Sequence, residues 1–318
     1  MGYKHNINTP VTGAKVRNYC IYAMILLIGG MYSARAQQTA LFPEYNENPF
    51  VINPAYAGMG WGAQAALAHS GFTDQSFEGS AENSSLSVHL PLSRGKMGLG
   101  AAAIRDKIGV TTNTRIYLAY SYKIFFDLKS DRPSWQIYHQ HVLSFGLTAG
   151  LHQLRDNLLE LGIPDDPVFA ENIHASIPMV GVGFLYNRAD FYIGISAPNI
   201  LGDRLASRDD LKLSNPVYGY AGYRFYPNRY NENIILKPNI LLKHEDGAPV
   251  QIDLNLAASF RDRFEFGAGY RSSSAVNLLA GVRLFRQLRI LYHYNIGVKN
   301  TLFGNTHGIV LSYDFSNH

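Results

Sequence analysis

The chain reads as an all-β protein, a transmembrane outer-membrane β-barrel of about 14 antiparallel up-and-down strands. Three observations predict this: a secretory layout over the first 36 residues, period-two hydrophobic alternation over long segments, and little charge. Charged residues make up 16% of the chain, against roughly 25% in typical soluble domains. Tyrosine (21) and glycine (29) are abundant. In a transmembrane barrel alternate residues meet lipid and lumen, so the average hydropathy cancels; here it is close to zero.

Residues 1–36 resemble a signal peptide. Lys4, Lys15 and Arg17 form a basic start. Tyr19 to Met31 is an apolar run too short for a membrane-spanning helix, which needs about 20 apolar residues. Ala34-Arg35-Ala36 supplies a small-x-small cleavage pattern before Gln37. Four basic residues and no acid fall in this stretch, so the remainder carries 24 basic and 24 acidic residues. The formal charge of +4 is therefore no argument for nucleic acid as a partner. The single cysteine, Cys20, also lies here, so the mature part has neither disulfides nor a thiol nucleophile. The expected organisation is a signal peptide over 1–36, a leader or plug segment over 37–60, and a barrel over 61–318.

The alternation is clearest towards the end of the chain. Val250, Ile252, Leu254, Leu256, Ala258 and Phe260 interleave with Gln251, Asp253, Asn255, Ala257 and Ser259. Further rows start at Phe264, Val276 and Leu288, and a last one runs from Ile309 to Phe315. The links between them are short: Arg261-Asp262, Ser272 to Ser274, and Arg286-Gln287. Similar segments occur at 61–70, 84–92, 97–106, 113–126, 141–153, 176–187, 190–199, 215–226 and 234–245. An even strand number suits a closed bacterial barrel, which leaves no bare edge facing lipid. Many segments exceed the ~5–6 residues usual for strands of soluble β-proteins. Longer connections fall at Gly71–Asn83, Asp127–Gln140, Asn157–Ala175, Gly202–Ser214 and Lys299–Asn305; in such barrels the long loops face outwards and the short turns face the periplasm.

No catalytic set stands out, and no cofactor or metal is expected. His244-Glu245-Asp246 are adjacent on a strand end, so they point to opposite sides and do not converge on one ion. Ser93-Arg94-Gly95-Lys96 has S-x-x-K spacing without the helix that would bring Ser and Lys together. Gly98-Leu99-Gly100 has no helix after it; glycines on a barrel wall make room for bulky neighbours inside.

The segment Asn53-Pro54-Ala55-Tyr56-Ala57-Gly58, after a glutamine-rich and aromatic start at Gln37, resembles the opening of the PorP/SprF family of Bacteroidetes outer-membrane proteins. Other pieces follow in the family's order. Gly98-Leu99-Gly100 leads to Asp106-Lys107-Ile108-Gly109, and Leu143 to Leu147 precedes Asp166-Pro167-Val168-Phe169. Phe191 to Ser196, Gly269-Tyr270-Arg271 and Tyr292-His293-Tyr294 continue the series. Departures are Ala68 to Phe72, Asn295 and His307-Gly308, where the family has R-x-Q-W-like, Asp and H-E sequences. The resemblance implies a non-enzymatic outer-membrane protein of the type IX secretion system. Its partners would be other secretion components and the C-terminal domain of a secreted surface protein or adhesin, some of which serve gliding motility. The alternative reading is a diffusion channel or a fatty-acid-type transporter.

Two local expectations follow. The Asn53–Gly58 motif is either a plug or latch in the barrel mouth or a plain turn into the first strand. Arg263, Arg271, Arg283 and Arg289 either form one charged lumen wall for a partner's acidic segment or pair internally with Glu265 and loop acids. Internal pairing is the preferred reading.

Overall fold

The computed structural model describes Tyr45 and residues 48–72, 80–126, 141–162, 171–188, 190–201, 215–227, 233–246, 248–272, 275–297 and 305–316. The expected signal peptide lies outside these residues, as do Asp166 and Pro167.

Fourteen strands close into a single antiparallel barrel: β1 (Gln64–Phe72), β2 (Glu82–Leu92), β3 (Met97–Ile108), β4 (Thr111–Phe126), β5 (His141–Asp156), β6 (Ile173–Asn187), β7 (Phe191–Ala197), β8 (Val217–Tyr223), β9 (Ile234–His244), β10 (Gln251–Phe260), β11 (Phe264–Arg271), β12 (Ala275–Leu284), β13 (Leu288–Gly297) and β14 (Thr306–Asp314). Each strand pairs with the next, and β1 pairs with β14 from Gln64↔Asp314 to Phe72↔Thr306. The sequence expectation of about fourteen up-and-down strands is met. The first strand starts at Gln64, not at residue 61. The seventh ends at Ala197, before Pro198, whose missing N–H cannot serve a ladder.

Alternation sets the two faces. On β4, Ile116, Leu118, Tyr120, Tyr122 and Ile124 point outwards and are exposed, while Tyr117, Ala119, Ser121 and Lys123 point inwards and are buried. Leu147 and Leu151 on β5 and Leu254 and Leu256 on β10 extend this apolar belt. Bilayer hydrocarbon is the medium that such a continuous apolar exterior requires, since the closed ladder already satisfies the backbone.

Three hairpin turns carry consecutive non-glycine residues in the left-handed region: Ser93-Arg94, Arg261-Asp262 and Phe285-Arg286. This hand of turn matches the twist of the flanking strands. The β12–β13 turn thus centres one residue earlier than the expected Arg286-Gln287.

The up-and-down order gives the barrel a proximal end, where β1 starts and β14 ends, and a distal end. The connections around 73–81, 157–172, 198–216 and 298–305 all fall at the distal end. The connection 127–140 joins β4 to β5 at the proximal end, so the longer connections do not all share one side. Parity is the reason: β4 runs from distal to proximal.

The lumen holds an apolar core. Ala102, Ile104, Tyr117, Ala119, Met179, Leu185, Tyr218, Tyr220 and Leu241 point inwards and pack on Tyr45, Phe50, Val51, Ile52, Ala55 and Ala57 from the segment before β1.

Candidate functional site

The segment Asn48–Gly60 lies inside the barrel, and its sequence explains how. It carries Asn-Pro twice. Each proline opens a short 3-10 turn, Pro49–Val51 and Pro54–Tyr56, because a fixed φ suits the first position and no N–H is lost there. Asn53 is extended, as the residue before a proline must be. Its Oδ1 accepts from the Ala55 N–H at 2.9 Å, and its Nδ2 donates to the Phe184 carbonyl at 3.0 Å and the Tyr220 hydroxyl at 2.9 Å. Asn53, Ala55 and Ala57 are completely buried. Pro54 is buried and Tyr56 half-buried. Gly58 has φ +58°, and a Cβ there would meet the Leu90 carbonyl oxygen at 2.6 Å.

Side chains on the inner wall satisfy the carbonyls of this segment in turn. Tyr117 donates to Val51 at 3.2 Å and Ser196 to Ile52 at 2.7 Å. Ser144 donates to Ala55 at 2.6 Å, and Ser121 and Lys123 both donate to Ala57 at 2.7 Å. The Gly58 N–H donates to His89 Nδ1 at 3.2 Å, and Asn48 Nδ2 to Ser87 Oγ at 2.6 Å. Wall glycines let the backbone approach. A Cβ at Gly98 would lie 2.1 Å from the Ala57 oxygen, at Gly146 2.1 Å from Ala55 N, and at Gly183 2.0 Å from Asn53 Oδ1. Gly100 faces the Phe50 ring in the same way. On the far wall, Asn255 Nδ2 donates to the Tyr45 hydroxyl at 2.7 Å; burial pushes that phenol above its ordinary pKa. Buried backbone carbonyls need partners, and here β4, β5 and β7 supply them.

Towards the distal end three ion pairs line the inner wall, two between neighbouring strands and one at the end of β9. Arg115 bonds Asp106 at 2.9 Å, Lys243 bonds Glu245 at 2.8 Å and Arg271 bonds Asp253 at 3.0 Å. Asn83 also donates to Asp106, and Gln251 to Asp253 at 2.9 Å. All three pairs lie towards the distal ends of their strands and form a layer there. Gly109 stands apart from it, with φ +60° in the β3–β4 turn and no neighbour within 4 Å of a built Cβ.

The five charges expected to mark the lumen separate into three places. Arg271 belongs to the distal layer. Glu265 is buried and holds both Arg289 and Lys237, the latter at 3.1 Å. Arg263 is exposed in the β10–β11 turn, and Arg283 bonds Asp262 of that turn at 2.6 Å. They do not make one wall, because strand tilt and alternation set them at different depths. Sequence reasoning missed the inward Ser121, Ser144 and Ser196, the buried Lys123, and Asp253 as the partner of Arg271. Their signal was their parity: each occupies the inward phase of a strand whose outward phase is apolar. Among the described residues no group of three or more His, Cys, Asp or Glu side chains is placed to hold a metal ion. His244 and Asp246 lie exposed and 3.8 Å apart, while Glu245 turns inwards.

No curated protein matches the chain. Solved structures that resemble it in outline include the following. The Acinetobacter baumannii outer membrane protein Omp33 is 8% identical, with a TM-score of 0.43 over 80% of this chain and 100% of that one. The Pseudomonas putida toluene transporter TodX is 11% identical, with a TM-score of 0.43 over 87% of this chain and 94% of that one. The family model for the type IX secretion system membrane protein PorP/SprF matches residues 34–313, which take in the lumen segment and nearly all of the barrel. The chain therefore belongs to the PorP/SprF family, outer-membrane barrels of the type IX secretion system.

Proposed function

We propose that this barrel assists the secretion or surface anchoring of one particular cell-surface protein by docking that protein's C-terminal domain, alongside other type IX secretion components. The observation that carries this reading is the occupied lumen. The chain's own segment, held by Asn53, Ser121, Ser144 and Ser196, fills the barrel between β2 and β8, and three ion pairs line the wall farther out. A barrel closed in this way is poorly suited to passing solutes or an extended cargo through its centre. What remains for a partner is its rim and the proximal part of its cavity. The same closure weighs against a diffusion channel or a fatty-acid-type transporter. The reading is non-enzymatic.

Affinity purification of the tagged mature protein from native outer membranes, followed by mass spectrometry, tests it. The expected result is one large surface protein that co-purifies through its C-terminal domain and leaves the surface when the barrel is deleted. A barrel recovered alone, with surface display intact after deletion, overturns the docking role.

A further inference from the structure

We propose that the lipid-facing wall of β3–β5 carries, at its distal border, a binding site for the phosphate of an anionic lipid in the leaflet that borders that end. The site lies outside the barrel, so it is separate from the lumen segment and does not rest on the docking role.

The outward phase of these strands supplies it. Arg105 and Lys107 of β3 and Arg155 of β5 are exposed on that phase. Between them β4 presents Thr112 and Thr114. The register fixes the set: Arg105 stands opposite Thr114, Lys107 opposite Thr112, and Thr112 opposite Arg155. Arg155 in turn faces His174 of β6. Two strand spacings separate Lys107 from Arg155, about 10 Å. Two long side chains can bridge that span to one phosphate held over Thr112. Arginine offers paired N–H donors to phosphate oxygens, and lysine and threonine add further donors.

Among the described residues, none of the three cations has a carboxylate within ion-pair distance. Nearby acids are turned elsewhere: Asp106 bonds Arg115 on the inner wall, and Asp156 accepts from the Thr111 hydroxyl at 2.8 Å. Glu82, opposite Lys107 in register, is the one carboxylate on the outward phase of β2–β5. Three cations against one acid leave this border positive.

Position selects a lipid. One row nearer the proximal end, the same wall presents Leu86, Ile116 and Leu151, all exposed, with Ala103 among them. Two residues along a strand span about 7 Å, so the cations stand at the edge of the apolar belt. A ligand that touches both rows is anionic at one end and apolar at the other. The proximal border of the wall is built differently. There Phe126 stacks on His141 with ring centroids 5.5 Å apart, and Tyr186 meets Phe191 at 5.4 Å. Aromatic rings suit a membrane border without selecting charge, whereas basic residues beside a bilayer attract anionic headgroups.

The test is native mass spectrometry of the purified mature protein released from detergent. The probes are phosphatidic acid and phosphatidylcholine with the same acyl chains. Phosphatidic acid should bind saturably, and phosphatidylcholine only at much higher concentration. Arg105→Gln, Lys107→Gln and Arg155→Gln should each weaken phosphatidic acid binding about fivefold, and together on the order of a hundredfold. Glu82→Gln should tighten it, which a misfolded variant would not do. Lys96→Gln, Arg263→Gln and Arg286→Gln together, at exposed turns of the proximal end, should leave it unchanged. Equal affinity for phosphatidylcholine, no loss in the distal triple variant, or the same loss in the proximal one overturns the proposal. Displacement of the lipid by millimolar inorganic phosphate overturns the contact with the apolar row. Displacement by polyglutamate overturns the lipid in favour of an acidic polypeptide.

Discussion

Lys123 Nζ donates to the Ala57 carbonyl oxygen at 2.7 Å, deep in the barrel, so a buried ammonium on the wall is bound to a peptide carbonyl of the lumen segment. Its other hydrogen-bond partner is Ser121 Oγ, at 3.2 Å. The contact joins the strand that carries much of the lipid-facing belt to the motif that identifies the family.

Lys123→Glu replaces this donor with an anion aimed at the Ala57 oxygen. The segment should leave the wall, while the outward face of β4 is untouched. Limited proteolysis should then cut within residues 48–58 of the folded variant and not of the wild type. Lys123→Met, which only removes the donor and its desolvated charge, should alter barrel stability by about 1 kcal/mol or less, the hydrogen bond lost being offset by the charge no longer buried.

Gly146→Val tests the close approach. Its Cβ would fall 2.1 Å from Ala55 N, against backbone that cannot swing aside. Overpacking of this kind costs roughly 1–3 kcal/mol or expels the intruding chain. Gly219→Ala is the control, since nothing lies within 4 Å of its built Cβ. Urea unfolding should show a loss for the first and none for the second.

Arg271→Ala strands Asp253, which is completely buried. Removing one partner of a buried pair costs about 3–5 kcal/mol. The double variant Arg271→Gln with Asp253→Asn should recover most of that loss, because neither side chain is then charged. A shift in the heat-modifiable gel mobility of the barrel reads both outcomes.

Leu118 is 69% exposed in the middle of the β4 belt, and Phe285 is 87% exposed in the proximal β12–β13 turn. Leu118→Arg should cost about 2–4 kcal/mol in a bilayer, and Phe285→Arg about 0–1 kcal/mol near the interface. Equal costs in lipid vesicles would place the belt elsewhere.

The fold was legible in the sequence because alternation is a strong signal where one face meets lipid. The rows from Val250 to Phe260 and from Ile309 to Phe315 needed no further context. The seventh segment was expected to run to 199, and Pro198, which lacks an N–H for the ladder, is why β7 stops at Ala197. The side on which connection 127–140 lies was not legible from loop length, since only strand parity fixes it. The site was half legible. Asn53–Gly58 stood out as a motif, and its Asn-Pro turns could be read locally. That Asn53 meets Tyr220 of β8 and Ala57 meets Lys123 of β4 depends on closure of the whole barrel. The four arginines looked like one wall because a sequence shows inward phase but not depth. Asp253, Asp262 and Glu265 each capture a different one.

The most direct test of the closed lumen is single-channel recording of the purified mature protein in planar bilayers, with no partner present. A barrel filled by Asn48–Gly60 should insert without steady conductance. Stable ohmic steps from the wild-type protein would contradict this account and restore the channel reading.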